Sequence, residues 1–252
     1  MFLYIFSCKI LYVIGNASYR RKSTSKNDPE HIAGEVGYAL AKAGYRVLCG
    51  GLGGCMEAAA RGAQRAVAAV QQEENESNAF KNDKNDSAAM VRYTNDSIDV
   101  SVRVNCGSGV TVVAVLPFQD GLAGGANPFV DVSLRTNLNT TRNNIIASAA
   151  DAVVIVGGGA GTLQEAAAAW SAGRMVLSMV GTGGTAERLS GQRLDNRKRL
   201  HGPGARLIPQ EDDIVYQIHN VDELLLMLEQ KLHWYRLEAI RGGKKLPKTH
   251  EI

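Results

Sequence analysis

A strand that runs straight into glycines and then into an alanine-rich helix leaves a chain few ways to fold. Residues 153–170, VVIVGGGAGTLQEAAAAW, read that way. The β-branched residues Val153, Val154, Ile155 and Val156 form a continuous apolar run, the pattern of a strand buried on both faces. Gly157, Gly158, Gly159 and Gly161 follow, then Thr162 and the helical pattern. Such a junction aims several backbone N–H groups and the positive end of a helix dipole at one point, which suits a phosphate. Without Cβ atoms, the glycines let a ligand approach the backbone. Glu165 falls about one helical turn on, within reach of the same point.

The same grammar occurs a second time. Residues 46–49 read as a strand and Gly50-Gly51-Leu52-Gly53-Gly54 as a turn. Met56, Ala60, Ala63, Val67 and Val70 then mark the apolar face of a helix. Ahead of it, residues 10–14 read as the first strand, ending at Gly15-Asn16-Ala17-Ser18. Asp28-Pro29 starts a helix, Asp as cap and Pro in the first turn, and Gly44 ends it. Residues 110–116 read as a third strand closed by Pro117, and residues 130–134 as a short fourth. Asn139 and Thr140 are expected to cap a helix over 141–150, with Arg142 and Asn143 in its first turn. Strands over 175–180 and 214–218 follow, then a helix over 221–232 with Asn220 and Glu223 as a capping box. Alternating strands and helices imply βαβ units and a parallel sheet, and open sheets of this kind bind ligands beyond the C-terminal strand ends. The expected fold is α/β: a doubly wound, mainly parallel, Rossmann-like sheet in a single domain over residues 1–252, the length itself leaning towards one domain.

Two polar segments interrupt the pattern. Residues 71–109, with EENESN, KNDKNDS and YTNDS, read as a solvated insertion, though residues 98–104 alternate as an edge hairpin would. Residues 182–206 carry Arg188, Arg193, Arg197, Lys198 and Arg199 and read as a second insertion. The arginines there admit a nucleic-acid surface, but Glu187, Asp195 and the lack of aromatic residues favour a solvated loop. Residues 241–252 form a basic, frayed tail. Net charge is +3, too small for a dedicated nucleic-acid binder, and no run reaches the length of a membrane span. The start, MFLYIFSCKILYVIG, admits a signal peptide; Lys9 inside the apolar run and the absence of a basic leader favour a strand. Cys8, Cys49, Cys55 and Cys106 form no CxxC pair, and the scattered histidines form no HExxH, so reduced thiols in the cytoplasm and no metal site are expected.

The GxGxxG fingerprint fails at both turns, with Thr162 and Met56 where the third Gly belongs, and there is no GxxxxGK[ST] loop. Glu165 is either a solvated helix carboxylate or a group at a site or subunit interface. Leu163, Ala167 and Trp170 are expected to face the sheet, and the uncharged run after Glu165 favours the site. Arg142, just ahead of the central strand, suits a phosphate or carboxylate partner better than a surface position. Cys49 and Cys55 flank the second turn as buried neutral thiols rather than reactive ones.

The segment CGGLGGCMEAAARGA resembles the GGGxxGxMxAxxxGA segment of the lonely-guy-type proteins, long labelled possible lysine decarboxylases. GGGAGTLQE resembles their GGxGTxxE signature. That group includes cytokinin-activating phosphoribohydrolases. The longer run TRNNIIASAADAVVIVGGGAGTLQEAAAAWSAGRMV is similar to a sister branch, the molybdenum cofactor carrier-like proteins. The resemblance covers most of the chain outside the insertions and the tail. It implies a ligand phosphate at Gly158, Gly159, Gly161 and Thr162, with Glu165 and Arg142 matching the catalytic Glu and Arg of the hydrolases. The hydrolases carry Pro-Gly-Gly and Arg-Lys where this chain has Gly157-Gly158-Gly159 and Arg142-Asn143, and both departures favour the carrier-like branch.

The residues expected at the ligand are therefore Gly15, Asn16, Ala17, Gly51, Gly53, Gly54, Met56, Pro117, Arg142, Asn143, Gly157, Gly158, Gly159, Gly161 and Thr162, with Arg142 and Glu165 as candidate catalytic groups. The expected activity is binding of a phosphorylated, nucleotide-like small molecule. No cofactor is required, but a bound nucleotide or molybdenum cofactor is allowed. The alternative is hydrolysis of the base–ribose bond of a nucleoside monophosphate; a structural protein with an eroded site is the third reading. No nucleic-acid or membrane partner is expected, and the chain is expected to form a homodimer or larger homo-oligomer.

Overall fold

The computed structural model describes residues 10–15, 28–78, 89–95, 98–104, 110–117, 125–197, 199–201, 206–207 and 213–235. The first nine residues, Asn16, Ala17, Cys106, residues 118–124 and the basic tail lie outside the described residues. In chain order the elements are β1 (Ile10–Gly15), α1 (Pro29–Lys42), β2 (Arg46–Cys49), α2 (Cys55–Asn78), β3 (Ala89–Asn95), β4 (Ile98–Val104), β5 (Val112–Leu116) and β6 (Val132–Arg135). After a 3-10 turn (Asn139–Thr141) come α3 (Arg142–Ala149), β7 (Ala152–Val156), α4 (Ala160–Ser171), β8 (Met175–Met179), α5 (Gly184–Leu189), β9 (Leu200–His201), β10 (Arg206–Leu207), β11 (Tyr216–Ile218) and α6 (Val221–Tyr235).

The main sheet runs β11-β8-β7-β1-β2-β5-β6-β4-β3. The seven strands from β11 to β6 are parallel, as expected for a doubly wound sheet. β1 sits in the middle; the chain moves outward through β2, β5 and β6, then returns to β7 on the other side of β1. That reversal opens a crevice beyond the C-terminal ends of β1 and β7, the place where such sheets bind ligands. In register, Gly15 at the end of β1 lies opposite Val156 at the end of β7.

Alternation along the strands divides the core into two layers. Leu11, Val13, Val47, Val154 and Leu177 pack with Val36 and Leu40 of α1, Ala59 and Ala63 of α2, and Leu224 and Leu228 of α6. Tyr12, Ile14, Val153 and Ile155 pack with Ile146 of α3, Ala166 and Trp170 of α4 and Ala186 of α5. Asp28 caps α1 as expected, its carboxylate accepting from the His31 N–H, and Pro29 opens the helix. At α6, Asn220 caps the Glu223 N–H at 2.9 Å, but the Glu223 carboxylate reaches the N–H of His219 rather than that of the cap, a displaced version of the expected box.

Part of the first polar segment forms strands, in keeping with the alternation over residues 98–104. α2 continues to Asn78, and β3 and β4 form a hairpin whose second strand joins β6 antiparallel, with Val102 opposite Val132. Low apolar content does not exclude such strands, because an antiparallel edge buries at most every second residue. Among the described residues, no helix is long and apolar enough to cross a membrane.

Candidate functional site

A cavity of about 440 Å³ opens at the C-terminal edge, within the range of small-molecule sites. Gly15 ends β1 beneath it, and Leu52 and Met56 form an apolar wall from the second glycine turn and the start of α2. Pro117, Asn139 and Thr140 come from the end of β5 and the 3-10 turn. Arg142 and Asn143 start α3, while Gly159, Gly161, Thr162 and Glu165 come from the start of α4.

Arg142 is 7% exposed and Asn143 is 6% exposed. The Arg142 Nη1 donates to the carbonyl of Val115 at 2.9 Å. Its Nε, and the Oδ1 of Asn143, are buried with no hydrogen-bond partner among the described residues. An unsatisfied buried polar atom costs about 1–3 kcal/mol, and native proteins keep few. Two such atoms lie on adjacent residues of one cavity wall. Asn139 and Thr140 do not cap α3 as expected: no side-chain cap bond forms there, and Asn139 takes a left-handed φ of 48°. The 3-10 turn carries the chain into α3 and leaves both residues lining the cavity.

Glu165 is 8% exposed and accepts a hydrogen bond from the Tyr12 hydroxyl at 2.5 Å. Burial pushes its carboxyl up from the ordinary value, against the Tyr12 hydrogen bond and the Arg142 charge, which pull it down. Burial, then the charge of Glu165, raises the Tyr12 hydroxyl well above its usual value, so it stays a protonated donor. Tyr12 is a positioning group with no mark in the sequence: a Tyr in a buried strand looks like core. The face of α4 also differs from expectation. Leu163 and Ala167 are exposed, and the buried stripe is Thr162, Glu165, Ala166, Ala169 and Trp170. A run of alanines carries no phase, so Leu163 and Trp170 alone were a poor guide to it.

The glycine loop is held from behind. The Gly157 N–H donates to the Thr182 hydroxyl, which itself donates to the Met179 carbonyl. The N–H groups of Thr185 and Ala186 donate to the Gly158 and Gly157 carbonyls at 2.8 and 2.9 Å, and the Thr185 hydroxyl to the Gly159 carbonyl. Gly157 and Gly158, at φ of 63° and 100°, are buried in this brace and do not line the cavity. Gly159 and Gly161 do, and a Cβ on either would meet nothing within 4 Å. The first turn of α4 has no intrahelical partners for its N–H groups, and Gly159, its N-cap, offers no side-chain cap. Gly51, Gly53 and Gly54 likewise shape their turn without lining the cavity; Leu52, not foreseen, lines it.

The second polar segment sends some of its side chains inward. Besides Thr182 and Thr185, it contributes Arg199, whose Nε donates to Asp213 at 2.8 Å and whose guanidinium lies 3.4 Å from the Trp170 ring centroid. Arg193 donates to the Asp213 carbonyl. These arginines face inward rather than water, because their partner carboxylate lies beyond the segment in sequence. Cys49 and Cys55 are buried and form no disulfide, and burial pushes the Cys49 thiol up to about 11, as expected for an inert neutral group. Among the described residues, no three His, Cys, Asp or Glu side chains gather to hold a metal.

Fold and cavity together define a doubly wound α/β protein with a braced glycine loop at its switch point. The model of the SLOG cluster4 family matches residues 9–81 and 100–202, and the chain belongs to that lonely-guy-like family. No curated protein matches it. Among solved structures it is similar to the structural-genomics target TM1055, at 25% identity and TM-score 0.58 over 88% of this chain and 99% of that one. It also shares its fold with the molybdenum cofactor binding protein of Rippkaea orientalis, at 18% identity and TM-score 0.55, covering 89% of this chain and 98% of that one. The same holds for the Moco carrier protein of Chlamydomonas reinhardtii, at 23% and 0.53, covering 90% and 98%.

Proposed function

We propose that this protein binds a phosphorylated, nucleotide-like small molecule and carries it rather than converting it. The observation that carries the reading is the meeting of a buried, incompletely satisfied cation, Arg142, with the uncapped start of α4 in one cavity. Both attract an anion. The apolar wall of Leu52 and Met56 gives a flat ring a surface to lie on. The phosphate belongs at Gly159, Gly161 and Thr162; Gly157 and Gly158 brace that loop. The molybdenum cofactor, which names two of the structural neighbours, is one ligand of this chemistry. Asn143 and Gly157 stand where the hydrolases carry Lys and Pro, which favours carrying over cleavage.

Glu165 supports a second reading. A carboxylate in the cavity, held by Tyr12, stands where the positive charge of a ribosyl cation would develop if the base–ribose bond were hydrolysed to free base and ribose 5-phosphate. Incubation with a panel of nucleoside 5′-monophosphates separates the two. Binding with slow or absent release of base is expected. Brisk release, abolished by Glu165→Gln with binding retained, would establish the hydrolase.

We also propose that a second copy of the chain covers α3 and α4. The charged residues of these helices, Arg142 and Glu165, are buried, and the exposed ones, including Ile145, Leu163, Asn144 and Gln164, are uncharged. A face without charge meets itself across a two-fold axis without like-charge repulsion. Light scattering of the wild type should give a dimer or larger, and Leu163→Lys a smaller species. Buried thiols at Cys49 and Cys55 that form no disulfide suit the reducing cytoplasm, where we place the protein.

A further inference from the structure

We infer that Gly50 is a positioning residue for Arg142, and that its missing side chain is what lets the guanidinium stand at the ligand. The inference rests on the reading of the cavity as a phosphate site. Gly50 follows Cys49 at the end of β2, next to β5, whose Val115 carbonyl accepts from Arg142 Nη1. The guanidinium thus lies between two walls fixed by adjacent strands. A Cβ on Gly50 would stand 2.9 Å from Arg142 Nη2 and 2.7 Å from Met56 Sδ, and closer still to Arg142 Nη1. Gly50 does not have the positive φ of Gly51 and Gly54, so its backbone accepts an L side chain. What the position requires is room, and the room is filled by the far ends of two side chains that line the cavity. Gly50 itself does not line it, so any effect of a substitution on the ligand passes through Arg142 or Met56.

The test is a double-mutant cycle on the full chain. Gly50→Ala should fold, lower the affinity for a nucleoside 5′-monophosphate about tenfold or more, and leave the weak binding of the unphosphorylated nucleoside unchanged. In the Arg142→Ala background it should cost no further affinity, whereas in a Met56→Ala background the loss should persist. A readout without ligand runs beside it: Gly50→Ala should lower the Tm by a few degrees with Arg142 present and by clearly less in Arg142→Ala. Losses that add to those of Arg142→Ala, or that follow Met56, would overturn the inference, as would a Tm change independent of Arg142. If the wild type binds no nucleotide at all, the ligand reading falls, and the Tm cycle still decides whether Gly50 holds the guanidinium.

Discussion

The two glycine turns share one grammar and do different work. Gly157 to Gly161 supplies backbone: its rear half is tied to Thr182, Thr185 and Ala186, and its front half, Gly159 and Gly161, faces open space at the start of α4. Gly50 to Gly54 supplies room and an apolar wall. Gly50 accommodates Arg142, Gly51 lies against Ala114 and Leu116, and Leu52 and Met56 line the cavity. A glycine run after a strand is therefore not by itself a phosphate loop. What decides is whether its N–H groups are left without partners or its Cα atoms are crowded by side chains.

The largest effect expected falls where the two turns meet, at Arg142. Arg142→Ala removes a charge-assisted donor, which contributes about 2–3 kcal/mol, so nucleotide affinity should fall by roughly two orders of magnitude in a titration. Next comes the direct comparison of the turns. Gly159→Val should lower affinity about tenfold or more with the fold intact, since its Cβ meets nothing. Gly53→Val, whose Cβ comes no closer than 3.8 Å to Glu57, should leave affinity near that of the wild type. Equal losses at both would dissolve the division of labour.

Thr182→Val should act on stability as well as binding. It strands the Gly157 N–H and frees the Met179 carbonyl, at a cost of about 1–3 kcal/mol by denaturant titration. A change below a few tenths would mean that the brace is ornamental.

The smallest effect concerns Glu165. Its carboxyl is raised in the folded state, so the folded protein holds the proton more tightly and stability falls as pH rises from the ordinary carboxylate value through the raised one. Glu165→Gln keeps an acceptor for Tyr12 and should be more stable than the wild type at neutral pH. The gain should shrink as the pH falls to the ordinary carboxylate range. A gain independent of pH would show that burial of the charge is not its source.

The sheet was legible in the sequence because parallel strands buried on both faces write themselves as continuous runs such as Val153 to Val156. Arg142, Asn143 and Glu165 were legible from their places at helix starts. What escaped was set by distant partners. Tyr12 meets Glu165 across 153 positions, and Thr182 meets Gly157 across 25. Arg199 is buried only because Asp213 and Trp170 receive it. Gly50 looked like one more turn residue, and its role depends on a guanidinium from α3. The alternation over residues 98–104 admitted the β3–β4 hairpin, while its pairing with β6 depends on a strand some thirty positions further on and left no mark of its own.

The central claim is that a phosphate seats at Gly159 to Thr162 beside Arg142. Calorimetry with a panel of nucleoside 5′-monophosphates and the matching unphosphorylated nucleosides tests it most directly. The account predicts that at least one monophosphate binds and that its nucleoside binds more than about a hundredfold more weakly, the scale of one charge-assisted contact and a helix start together. A nucleoside that binds as tightly as its monophosphate would contradict it.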